Sequence, residues 1–128
     1  MDLKEQIKMI LDEIRPQFET LGEYGFGGIG TPDLVASSFI DVYESYVKAK
    51  NLYQENIGHL PENGSECQFA VEEVDESELE ATYSIAKVQG FLPPPLMQRV
   101  FEFTMHMNAF FMAALRDYTK NIAYDNLL

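Results

Sequence analysis

The stretch Leu96–Tyr118, LMQRVFEFTMHMNAFFMAALRDY, does most to limit what this chain can fold into. It is entered through Pro93-Pro94-Pro95, contains neither Gly nor Pro, and is the most apolar part of the sequence. Read as one helix, it carries two adjacent apolar stripes. Leu96, Val100, Phe103, Met107, Phe110 and Ala114 form the first; Met97, Phe101, Thr104, Asn108, Phe111, Leu115 and Tyr118 form the second. A helix apolar over so much of its circumference packs against several elements at once. The remaining chain is therefore expected to fold around a long buried C-terminal helix. A third stripe is charged at both ends and has Ala109 and Ala113 in its middle. Those alanines are either good helix formers facing solvent or a homodimer contact against a symmetric partner helix.

Residues 2–21 have the clearest period: Leu3, Ile7, Ile10, Leu11, Ile14, Phe18 and Leu21 advance by three or four and share one helical face. Asp2 with Glu5 three residues on resembles a capping box. Pro16 should kink this helix without stopping it, and Gly22 should end it. The glycine-rich run 22–30 then leads to Thr31-Pro32-Asp33-Leu34, a strong helix start with Thr31 as N-cap. The second helix is expected to reach about Tyr53 or Glu55. Beyond a loop from Asn56 to Glu66, apolar and polar residues alternate at Cys67, Phe69, Val71 and again at Leu79, Ala81, Tyr83, Ile85. Two such runs predict a β-hairpin, hence a helix-dominated α+β fold in the order α-α-β-β-α, all in one domain over 1–128. The alternative is an all-α bundle with 76–89 helical, framed by Asp75, Glu78, Lys87 and Gly90.

Charge narrows the partners. Nine basic against twenty-one acidic residues give a formal charge of -12. Direct nucleic-acid binding and anionic membranes are disfavoured, because phosphate recognition needs clustered Lys and Arg. A basic protein surface is attracted instead. Cys67 is the single cysteine, so no internal disulfide can form and a cytoplasmic location is the simplest expectation. No window has the roughly 18 uncharged apolar residues of a membrane span.

Motifs with chemistry are scarce. Gly25-Phe26-Gly27-Gly28-Ile29-Gly30 satisfies G-x-G-x-x-G, but a helix rather than a strand precedes it and Glu23 and Asp33 would oppose phosphate. That loop is better suited to contacts with a partner through Tyr24, Phe26, Gly27 and Gly28. Glu72, Glu73, Asp75, Glu76 and Glu78 form an acidic patch for a basic groove on another protein. The histidines, His59 and His106, have Glu55 and Glu102 one turn away, and neither arrangement completes a metal site. No cofactor, metal or catalytic residue is expected. The sequence thus points to a small acidic protein that acts by macromolecular binding, as a regulator, inhibitor, immunity protein or chaperone. The alternative is a small-ligand binder or small enzyme, its pocket lying between the second and third helices under the glycine-rich loop. Tyr43, Tyr46, Phe103 and Phe110 are its candidate walls.

Overall fold

The computed structural model describes residues 2–61 and 74–127, with side chains described as far as Leu115. It is a helical bundle: α1 (Leu3–Gly27), α2 (Pro32–Ile57), α3 (Glu76–Gln89), the single turn α4 (Pro94–Met97) and α5 (Val100–Leu127). Among the described residues there is no strand, so the α+β expectation is overturned. Helix α2 packs against α1, α3 and α5, and α5 also lies along α1. The short link from Gly28 to Thr31 makes α1 and α2 antiparallel neighbours. None of the helices, over the described residues, is long and apolar enough to cross a membrane.

The predicted second strand is helix α3, with the boundaries of the all-α alternative. The Asp75 side chain accepts the Ser77 N–H at 3.0 Å, and Gly90, at φ 75°, closes the far end. Alternation misled because it treated Thr82 as outward and Ala81 as inward. In the fold Leu79, Thr82 and Ala86 are buried at helical spacing while Ala81 is exposed. The Thr82 hydroxyl donates to the Glu78 carbonyl at 2.8 Å, which makes its burial tolerable. The first predicted strand, over Cys67–Val71, lies outside the described residues.

Helix α1 is capped as expected, Asp2 accepting the Glu5 N–H at 2.8 Å, and it runs through Pro16. It also runs through Gly22, contrary to expectation, and ends only at Gly28, where φ is 70°. The extra turn is held by packing. At Gly25 the backbone of α1 approaches α5 so closely that an added Cβ would lie 3.1 Å from the Phe101 Cα. At Gly22 an added Cβ would meet nothing within 4 Å. Two glycines in one helix should therefore respond oppositely to substitution. Gly22→Ala is expected to stabilise by up to about 1 kcal/mol through helix propensity. Gly25→Val should destabilise by about 1–3 kcal/mol through overpacking against backbone. Urea unfolding of the two variants checks both signs.

The opening stretch is divided. Its first residues form α4, a turn at Gln98 and Arg99 follows with the Arg99 N–H on the Leu96 carbonyl at 3.0 Å, and α5 then continues to Leu127. Burial follows the expected stripes: Val100, Phe103, Met107, Phe110 and Ala114 are in the core, as are Met97 and Phe111. They meet Ile7, Leu11, Ile14 and Leu21 of α1 and Val35, Phe39, Val42 and Tyr46 of α2 in one cluster.

Candidate functional site

The densest polar arrangement joins three helices around one carboxylate. Glu76, in the first turn of α3, takes the Tyr46 hydroxyl at 2.6 Å and His106 Nε2 at 3.0 Å on Oε1. Lys50 Nζ lies 3.1 Å from Oε2. Tyr46 and Lys50 are one turn apart on α2, and His106 comes from α5. An ionised carboxylate only accepts, so His106 Nε2 carries the proton in this contact. The Glu76 carboxyl is held down to about 2, first by His106 and further by Tyr46 and Lys50, against the opposing effect of burial. The Tyr46 phenol is pushed well above its ordinary range, by burial first and then by Glu76. A carboxylate this acidic is a poor proton acceptor near neutral pH, and a phenol this weak a poor nucleophile. The chemistry of the cluster is that of a clamp.

Glu78 is similarly occupied. The Arg99 guanidinium grips it with a fork, Nε at 3.0 Å on Oε1 and Nη2 at 2.9 Å on Oε2. Asp75 spends its side chain on the α3 cap. Three residues of the acidic patch expected from the sequence thus also fasten α3: Asp75 caps it, Glu76 ties it to α2 and α5, and Glu78 ties it to the turn before α5, with Asp75 and Glu76 still exposed. Glu72 and Glu73 lie outside the described residues. Tyr46, Lys50 and His106 were not linked to Glu76 by any sequence signal. His106 meets Glu76 rather than Glu102, and His59 Nδ1 sits 2.9 Å from the Leu60 carbonyl.

Of the four aromatics proposed as pocket walls, Tyr46, Phe103 and Phe110 are core, and Tyr43 is half-buried against it. Tyr46 packs edge-to-face on Phe110 at 5.5 Å, while Phe103 on Phe39 at 5.9 Å and Tyr43 on Tyr83 at 4.7 Å between centroids are tilted pairs. Two surface grooves have other linings. One, of about 430 Å³, runs between α1 and α2 past Met9, Ile10, Glu13, Lys48 and Leu52. The second, of about 540 Å³, opens at the end of the bundle where the glycine-rich turn meets the α3–α4 connection. Of the predicted loop contacts, half-buried Tyr24 lines this second groove. Phe26 is 72% exposed and leans edge-on against Phe101 at 4.8 Å. Gly27 ends α1, and Gly28 turns the chain with its N–H on the Tyr24 carbonyl at 2.8 Å.

On α5, Ala113 is buried within the chain and Ala109 is half-buried, which leaves little of the pair for a second copy. Among the described residues no three His, Cys, Asp or Glu side chains converge as metal ligands. Comparison with known proteins finds no matching family model, no matching curated protein and no matching solved structure.

Proposed function

We propose that this chain is a cytosolic protein-binding module that docks on another protein through electrostatic attraction, as a regulator, inhibitor, immunity protein or chaperone. The observation that supports this is how its charges are spent. Arg15 pairs with Asp12 at 2.9 Å, Lys50 with Glu76 at 3.1 Å, Lys87 with Glu44 at 3.9 Å and Arg99 with Glu78 at 2.9 Å. Glu13, Glu19, Glu23, Asp41, Glu55 and Glu80 are exposed and form no ion pair among the described residues. These carboxylates face solvent, where they steer a basic partner and repel acidic ones.

The test is the salt and charge dependence of partner binding. A partner recovered from native lysate at low salt should be released as the Debye length shrinks from about 10 Å at 0.1 M to about 3 Å at 1 M salt. Reversing Glu19, Glu23 and Glu80 to Lys should slow its association by about tenfold or more. Association kinetics that ignore both salt and these three reversals reject the proposal.

A further inference from the structure

We propose that the groove at the α1–α2 turn seats an apolar side chain of the partner protein, presented on a segment with Lys or Arg on either side of it. This rests on the protein-binding function proposed above and assigns it a surface. Tyr24, Gly30 and Pro32 form one wall of the groove, and Phe91, Leu92 and Met97 the other. The Leu92 N–H lies 3.4 Å from the Pro32 carbonyl and ties the two walls together. Close by in the chain, Phe26 and Ile29 are 72% and 68% exposed, and Phe91 itself 46%. Single exposed apolar residues are ordinary, but Phe91 in the groove wall, with Ile29 beside the wall residue Gly30 and Phe26 two residues from Tyr24 at the end of α1, together mark an interaction surface. Phe101 covers one edge of Phe26 and leaves the rest of its ring to solvent.

Charge selects the occupant. Glu23 precedes the wall residue Tyr24, Asp33 follows Pro32, and both are exposed. No Lys or Arg occurs between Arg15 and Lys48, so the turn contributes no cation. Arg99, next to the lining residue Gln98, is committed to Glu78. An apolar groove with a negative rim favours an apolar anchor flanked by cations. It disfavours an anionic membrane, and a second copy of this chain would bring the same rim charges together.

The probe is a short fluorescein-labelled peptide with adjacent Phe and Leu between Lys-Arg pairs, titrated by anisotropy. Its controls are the same peptide with Ala at the two apolar positions and a version with Glu for every Lys and Arg. The parent peptide is expected to bind, the Ala version at least about tenfold more weakly, and the Glu version not measurably. The variants Phe91→Ser and Ile29→Ser should each weaken the parent peptide by about tenfold, while Met9→Ser in the other groove leaves it unchanged. Equal binding of the parent and Ala peptides, insensitive to Phe91→Ser, overturns the groove and leaves the electrostatic function standing. No binding of either cationic peptide counts against both. Self-association of the free protein that Phe91→Ser abolishes would place a second copy in the groove and likewise overturn the proposal.

Discussion

Phe103→Ala is expected to destabilise the fold by about 3–5 kcal/mol, the usual cost of truncating a buried Phe. Phe103 is fully buried on the first turn of α5, its ring 5.9 Å from that of Phe39 on α2 and under the Arg99 guanidinium at 5.2 Å. Its loss opens a cavity where α5 meets α2, and it also strips apolar cover from the Arg99 end of the Arg99–Glu78 fork. Since domains of this size are stable by only about 5–15 kcal/mol, the variant should be close to unfolding at moderate temperature. Phe103→Leu keeps much of the volume and should cost clearly less. Urea titrations followed by circular dichroism measure both. A loss below about 1 kcal/mol for the alanine variant would mean that the site collapses freely and does not hold α5 to α2.

The second large effect belongs to Glu76. Glu76→Ala takes the 2.6 Å acceptor from the buried Tyr46 hydroxyl, leaving it only the long 3.4 Å contact with His106 Nε2, and removes the carboxylate shared by Lys50 and His106. An orphaned buried hydroxyl costs about 1–3 kcal/mol. Adding Tyr46→Phe to Glu76→Ala should restore part of that loss, because the unsatisfied donor goes with it. Acid should have a related effect in the native protein. The folded carboxyl lies at about 2 against an ordinary 4.5, so the clamp contributes fully above the unfolded value and weakens as pH falls from 4.5 towards 2. At about 1.4 kcal/mol for each tenfold change in proton affinity, a shielded group would contribute about 3 kcal/mol. The Glu76 side chain is 48% exposed, and solvent screening reduces this to about 1–2 kcal/mol. The stability gap between native protein and Glu76→Ala should narrow over that window. A gap constant from pH 7 to pH 3 would show that the carboxylate carries no special load.

What could be read in advance was local. Asp2, Thr31-Pro32 and Gly90 act where a cap or stop acts, within a turn of their own position. The apolar stripes of α1 and α5 were legible for the same reason, since a helix puts residues three and four apart on one face. Alternation at Leu79–Ile85 was a weaker guide. Four alternate apolar positions cannot show whether Ala81 or Thr82 is covered, and that depends on which faces of α2 and α5 are nearby. A lone helix would end at Gly22, whereas in the packed chain α1 continues past it to the close approach of α5 at Gly25. The clamp was invisible for a related reason. Tyr46 and Glu76 are 30 residues apart and Tyr46 and His106 are 60 apart, with no local pattern joining them.

The acidic residues show the same division. The sequence by itself determined that carboxylates far outnumber cations, where the first two helices start, and which faces of the first, second and last helices are apolar. Only the tertiary structure decided which carboxylates are spent. Packing α3 against α2 turned Glu76 and Glu78 onto Lys50 and Arg99, and left Glu19, Glu23 and Glu80 facing solvent. It also set the glycine-rich turn beside Phe91 and Leu92, forming a groove from two connections far apart in the chain. Helix starts and amphipathic faces depend on neighbours within a few residues. Ion pairs across helices, and grooves between loops, exist only once the helices have packed.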